Sequence, residues 1–452
     1  MTRAWHVAWR SLGRNRRRNL ATALAIALGY AGLVLIGGYV VRIERFLRTN
    51  AVYLAPSGHV AIYREGGLTR AAARPSRYSL TPAQQAVIST VLDGDPRVEF
   101  SGRYLRGQGL AGNGCRTLPF VATGMEPGVE ARVLAHPAVR RDAADFVTPL
   151  RGRLVSQAPD VEGAVGLSAG LARLLGKARV HDETNGAGAI VMPACEDPGA
   201  AAQIAADANV QLAGLTFSGS LGAVDGEVVN VFHTPSTDTE DQTVVTSLGL
   251  LQRLYDTGDV TFVAAFLHDA RDTPAVAADL QRALATRGVP AEVFTYLDYD
   301  VNPYYVGTMR FLRSLVAVIG VLVIAVVVLG VVNAATLTVY ERTRELGTFR
   351  ALGYTRRQLS TLYLREVLLL SLVATGAGLA FAFVTAAAVN AADIRFTPPG
   401  VPGSIRLTVT PNLSLAGAAA IAMLPLSLLA TWVVVRRRLR ERVADLLTAT
   451  TA

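Results

Sequence analysis

The chain has 452 residues, 51% of them apolar, with 44 basic against 35 acidic side chains and a net charge of +9. At about 150 residues per domain the length allows roughly three units. The apolar content and positive mean hydropathy exclude an ordinary soluble or disordered chain, and the basic surplus is wrongly placed for nucleic acid: each arginine cluster flanks an apolar run and none is interleaved with aromatics on a folded region.

In chain order, residues 1–19 set Trp5, Trp9 and Leu12 at helical spacing among arginines, as expected of an interfacial helix. Residues 20–41 form the first predicted span. Its apolar stretch exceeds the roughly 7 to 15 residues of a signal-peptide core, and Arg42-Ile43-Glu44-Arg45 stands where a small-residue cleavage site belongs, so an uncleaved anchor is expected. Residues 42–307 read as a large α+β domain between the first and second spans, built around two or more small cores. Strands are predicted at 59–63, 98–103, 118–123, 228–232, 261–267 and 291–296, and helices begin at Thr81-Pro82, Ser168, Ser247 and Thr273-Pro274. Residues 183–208, rich in Gly and Ala, read as a loop or insertion.

Apolar runs then cover 315–339, 368–389 and 413–435, each long enough at about 1.5 Å per residue to cross a core of roughly 30 Å. The expected fold class is an α-helical membrane protein with four transmembrane helices plus a large α+β extracytoplasmic domain inserted between the first and second. Its parts are an interfacial helix at 1–19, spans at 20–41, 315–339, 359–389 and 413–435, a coupling helix at 340–358, a Pro/Gly loop at 390–412 and a tail at 436–452. Arginines before the first run, between the second and third and after the fourth place both termini and the central loop in the cytoplasm. Pro425 is expected to kink the last span, and Asn333 to hydrogen-bond between helices.

The most informative stretch is 339–366, VYERTRELGTFRALGYTRRQLSTLYLRE, between the second and third runs. Leu346, Phe349 and Leu352 recur every third residue among Glu341, Arg342, Arg344, Glu345 and Arg350, a short amphipathic helix. Gly353 suits its C-cap, and Thr355 with Gln358 has the form of a capping box opening the next helix.

The pattern Glu341-Arg342-x-x-Glu345-x-Gly347-x-x-Arg350-Ala351-x-Gly353, followed by Arg357-Gln358 and Glu366, resembles the cytoplasmic coupling segment of FtsX-like/MacB-type ABC transporter permeases, which include the lipoprotein-releasing LolC/LolE proteins. AWRSLGRNRRRNLATALAIALG near the start is similar to the same family, and AVGLSAGLARLLG with SLGLLQRLYDTGDVTFVAAFLHD resembles its extracytoplasmic domain more loosely. The resemblance implies a mechanotransmitting permease subunit of the bacterial inner membrane, serving lipoprotein, peptide or amphiphile release or export. Its partners are a dimer of separate ABC ATPase subunits, a second permease copy, identical or a paired relative, and an adaptor or substrate-accepting protein. Glu341, Arg342, Glu345, Gly347, Arg350 and Gly353 are the implied coupling elements, their charges meeting the ATPase, with Phe349 and Leu352 as the apolar face. One rival is a receptor that uses the same lever to activate an extracytoplasmic cell-wall hydrolase.

Other motifs read as structural. Gly107-x-Gly109-x-x-Gly112 matches a dinucleotide fingerprint, but Asn113-Gly114 follows where a helix is needed, which predicts a β-hairpin. Gly166-x-Ser168-x-Gly170 matches a nucleophile elbow, and a membrane-anchored hydrolase is the rival it supports; Ser168 as a helix N-cap explains it equally. Six scattered histidines lack metal-ligand spacing, and Asp238-x-Glu240-Asp241 lacks the glycine and distal glutamate of a calcium loop. Cys115 and Cys195, the only cysteines, are expected to form a disulfide. The only lysine, Lys177, is not in a P-loop, so no cofactor is expected and ATP is left to a partner.

Overall fold

The computed structural model describes residues 16–55, 57–183, 195–397, 400 and 404–441. The interfacial helix predicted from Trp5, Trp9 and Leu12 and most of the basic tail lie outside the described residues. Contacts divide the chain into two units: residues 45–308 with 395–405, and the remainder, made largely of long helices.

In chain order, α1 (Arg16–Thr49) continues through a π turn at Asn50–Leu54 to β1 (Val60–Arg64), α2 (Pro82–Asp93), β2 (Val98–Gly112), β3 (Thr117–Met125), β4 (Arg151–Gly152) and β5 (Ala164–Ser168). There follow α3 (Ala169–Leu174), β6 (Asn209–Leu215), β7 (Leu221–Phe232), β8 (Thr243–Ser247), α4 (Leu248–Tyr255), β9 (Phe262–Leu267), α5 (Thr273–Thr286) and β10 (Ala291–Thr295). The last elements are α6 (Pro303–Glu341), α7 (Thr343–Ala351), α8 (Arg356–Ala391) and α9 (Leu413–Arg438).

Strands β1 to β10 belong to one mixed sheet. β2 pairs with β3, β3 with β8, β8 with β5, β5 with β7, β7 with β6, and β6 back with β2, so six strands close into a ring. Closure removes the exposed edges that such a sheet would otherwise present. Beyond β2 the sheet continues through β9 and β1 to β10. There the Gln281 side chain accepts from Val293 N–H at 2.9 Å and donates to Ala291 O at 2.9 Å, blunting the free edge. More than one core is present, as expected, but one of them is large, running from Val60 through Leu105, Phe120, Leu167 and Leu212 to Leu284, with the buried aromatics Tyr63, Phe100, Tyr104, Phe262 and Phe266 stacked outside it. A lesser one forms around Val155 and Val229. The reason is the ring: its strands come from 98–247, and hydrophobic alternation along each strand does not reveal which strands are neighbours.

The six predicted strands are present, and β4, β5, β6 and β8 are additional. Helix starts follow the capping residues. Thr81 and Gln84 form a reciprocal capping box, and Ser247 accepts from Leu250 N–H. Part of the predicted loop at 183–208 is instead helical, at Ala200–Ala206, where five alanines favour a helix.

Among the described residues, four helices are long and apolar enough to cross a membrane: Asn19–Leu54, Pro303–Glu341, Arg356–Ala391 and Leu413–Arg438. They overrun the predicted spans, at both ends in the first three and at the C-terminal end in the fourth, because the helices continue past the apolar runs that define a span. In the helical unit α8 turns Ser371, Ala374, Gly378, Ala382 and Ala386 inward, a face of small side chains that permits close backbone approach. A Cβ at Gly378 would meet Ala27 of α1 at 2.5 to 3.1 Å, so α1 and α8 touch backbone to backbone there. Tyr30 of α1 donates to Ala416 O at 2.9 Å, and Pro425 sits within α9 without ending it. Asn333 does not bond between these helices. It is exposed on α6 and makes no hydrogen bond among the described residues.

Candidate functional site

The segment between α6 and α8 is built by local rules. Arg342 breaks the helix, and Thr343 Oγ1 donates to the carbonyls of Val339 and Tyr340 at 3.0 and 2.7 Å, bridging the break. α7 ends in a Schellman motif: Gly353 takes φ +90°, its N–H donates to Arg350 O at 3.1 Å, and Tyr354 N–H donates to Phe349 O at 3.0 Å. Only glycine holds that φ without strain. Two residues later Thr355 and Gln358 cap α8 reciprocally, at 3.3 and 2.9 Å. α7 is thus fixed at both ends.

Its faces divide the candidate coupling residues. Leu346 and Gly347 are buried, Leu346 in a cluster with Val339, Leu359, Tyr363, Val435 and Leu439. Arg342 also turns inward, its guanidinium 3.5 Å from the Glu366 carboxylate of α8, with both side chains largely buried. Arg350 reaches past the end of α9 and donates to Leu439 O at 2.9 Å and Glu441 O at 3.5 Å. The expectation that both arginines present their charge outward is corrected: each satisfies a group within this unit. A largely buried carboxylate favours a cation beside it, and the orphan carbonyls at a helix C-terminus need a hydrogen-bond donor.

Facing solvent are Glu341, Glu345, Phe349, Leu352 and Gly353. Leu352 is 71% exposed, and Phe349 stands edge-on to Tyr354 at 5.4 Å. Phe349, Leu352 and Tyr354 are thus exposed apolar side chains on this segment, and the charged Arg344 and Glu345 are exposed as well. Leu346 does not share the face with Phe349 and Leu352, because a spacing of three drifts around a 3.6-residue helix. Sequence reasoning passed over Tyr354 and Thr343; aromatic and hydroxyl residues flanking the helix ends were the available signal.

Beside the ion pair lies a cavity of about 30 Å³, roomy enough for a water molecule. All four long helices line it, with Thr22, Thr338, Glu366, Ser371 and Thr431 among its polar groups.

The other motifs are structural. Gly107 and Gly109 lie in β2, where a Cβ would collide with Tyr255 and with Ala213 O, and Asn113 Oδ1 closes the hairpin by accepting from the N–H groups of Cys115 and Arg116 at 2.8 and 2.6 Å. Ser168 opens α3 but does not cap it. Its hydroxyl is fully buried, donating to Thr243 O at 3.1 Å and accepting from Thr243 N–H at 3.2 Å, so no nucleophile is presented. Glu240 is not a solvated loop residue: it accepts from Thr234 N–H and Oγ1, each at 2.7 Å, and pairs with His233. Lys177 is buried against Asp207 at 3.2 Å. Cys115 and Cys195 are joined in a disulfide with Cα atoms 5.4 Å apart. Among the described residues no three His, Cys, Asp or Glu side chains converge as metal ligands would.

Fold and site together define a class, a membrane protein in which a large α/β unit accompanies long apolar helices and a short surface helix is clamped to them. Residues 317–443 match the family model for the FtsX-like permease C-terminal domain. Two curated relatives, the pyoverdine export ATP-binding/permease proteins PvdT of Pseudomonas putida (strain KT2440) and Pseudomonas entomophila (strain L48), are 28% identical over 175 and 177 residues, 38% of this chain and 27% of theirs. The chain thus spans about a quarter of the length of those relatives. Among solved structures, the extracellular domain of the noncanonic ABC-type transporter YknZ from Gram-positive bacteria matches with TM-score 0.31 and 13% identity, over 52% of this chain and 99% of that one. The periplasmic region of MacB from Actinobacillus actinomycetemcomitans gives TM-score 0.31 and 11% identity, over 52% and 88%. The likeness to the FtsX-like permeases thus lies in the C-terminal region, residues 317–443.

Proposed function

We propose that this chain is the permease subunit of an ABC transporter that passes ATP-driven motion of a separate ATPase dimer to its α/β domain outside the membrane. The observation that carries the reading is the clamped α7. Arg342 fastens its start to α8 and Arg350 its end to α9, while Glu345, Phe349 and Leu352 stay exposed for a partner. A force on the exposed face is delivered to two long helices at once. Such a lever loses no work to a hinge of its own. On this reading the arginine clusters put both termini and α7 in the cytoplasm of a bacterial inner-membrane protein, the α/β unit faces outward, and ATP is bound by the partner alone. The substrate class is an amphiphile, peptide or lipoprotein, handed on to an adaptor or accepting protein.

The test is purification of the full chain in mild detergent with an ATPase assay on what accompanies it. A P-loop ATPase is expected, and Glu345→Arg is expected to lower its retention at least tenfold while leaving the permease folded. Recovery of the chain with an extracytoplasmic hydrolase and no ATPase would replace transport by the receptor reading.

A further inference from the structure

The arginines at the end of α9 divide by what they touch. Thr431, Val435 and Leu439 recur every fourth residue as the buried side of this helix end. Arg438 lies beside that stripe, over the Tyr340 ring at 4.5 Å and paired with Glu441 at 2.5 Å. Arg350 supplies the donor that the last carbonyls need, at Leu439 O and Glu441 O, so the helix end calls for no further cation. Arg436 and Arg437 remain. Both are exposed, and among the described residues neither has a carboxylate partner or a hydrogen-bond acceptor.

Trp432 and Arg436 sit one residue past Thr431 and Val435, one turn apart on a single exposed face, with the guanidinium 4.6 Å from the centre of the indole ring. The indole N–H, like the guanidinium, donates to nothing among the described residues. Depth fixes what surrounds this pair. The apolar run ends at Val435, so Arg436 stands at the edge of the hydrocarbon core, where lipid phosphates lie, and Trp432 about 5 Å inside it. We propose that Trp432 and Arg436 form a binding site for an anionic phospholipid, the guanidinium and the indole N–H donating to its phosphate oxygens and the ring lying against its glycerol backbone and acyl chains. Charge complementarity selects the lipid. A phosphate monoanion under an uncharged headgroup neutralises Arg436, whereas a choline headgroup carries its own cation to the same place. Arg437 lies a further 100° round the helix, with Val433 rather than a ring one turn below it, and adds positive field without a site. The inference rests on α9 spanning a membrane and not on any ATPase.

Trp5, Trp9 and Trp432 are the three tryptophans, so Trp5→Phe with Trp9→Phe leaves Trp432 as the sole reporter in the full chain. In vesicles of phosphatidylcholine carrying rising shares of acyl-brominated phosphatidylglycerol, or of brominated phosphatidylcholine, quenching of its fluorescence reports which lipid lies against it. Phosphatidylglycerol should be preferred about fivefold, the effect of roughly one surface cation. Arg436→Gln should bring the preference to within about twofold of parity, while Arg437→Gln should keep most of it. Equal quenching by the two lipids, a preference that survives Arg436→Gln, or equal losses at positions 436 and 437 would overturn the proposal, the last by reducing the site to a diffuse basic rim. A lipid preference in a chain that captures no ATPase would uphold this site and sink the transport reading; capture of an ATPase without lipid preference would do the reverse.

Discussion

Acidification should loosen the α/β unit through His59. The ring is 5% exposed, Nδ1 accepts the N–H of Leu267 at 2.9 Å, and Tyr53 and Tyr296 stand edge-on to it at 5.8 and 5.9 Å. Burial, with His136 and Arg48 nearby and Asp269 opposing, pulls its pKa down from 6.5 to about 4. A lowered histidine binds its proton more readily in the unfolded state. Its contribution to stability is therefore complete above pH 6.5 and is lost as pH falls toward 4. At pH 4.5 the loss works out at about 2.5 kcal/mol, roughly 80-fold in an opening equilibrium. Glu130, held above the ordinary carboxylate range by burial, acts with the opposite sign, so the comparison must isolate His59. Hydrogen exchange by mass spectrometry on the full chain, corrected for intrinsic rates and read at peptides containing β9, should show protection falling about sevenfold per unit between pH 6 and 4.5. His59→Asn keeps an acceptor for Leu267 without titrating in this range and should flatten that slope. Equal slopes in the two proteins would refute the reasoning.

Three further outcomes follow from the contacts. Ser168→Ala should cost about 1 to 2 kcal/mol in thermal stability by stranding Thr243, with no loss of any hydrolytic activity in the purified chain. Reduction of Cys115–Cys195, which closes an 80-residue separation, should lower stability by about 4 kcal/mol, and equal free-thiol signal before and after reductant in denaturant would show that the bond does not form. Glu366→Gln should destabilise the helical unit by about 3 kcal/mol because the largely buried Arg342 loses the carboxylate charge opposite it, and adding Arg342→Gln should recover most of it; additive losses would mean the pair is not coupled.

How far the sequence could be read depended on the range of the interactions. The four apolar helices, Gly353 as the C′ residue and the Thr355–Gln358 box are local, set by residues within a few positions, and were legible. Closure of the six-stranded ring was not, since β6 returning to β2 depends on contacts between positions such as Leu110 and Ala213. The candidate site shows the same division. Spacing located α7, but only the placement of α8 and α9 shows that Arg342 and Arg350 are spent inside the unit and that Phe349, Leu352 and Tyr354 stay exposed. Asn333 was visible as a polar residue in an apolar run, and the face it occupies was not.

The central claim is that the exposed face of α7 receives force from an ATPase. A photo-crosslinking residue at Leu352, in the full chain within its native membrane, tests it most directly. The account predicts an adduct with a P-loop ATPase that disappears in the Glu345→Arg background. An adduct with lipid alone, or with a protein that binds no nucleotide, would contradict it.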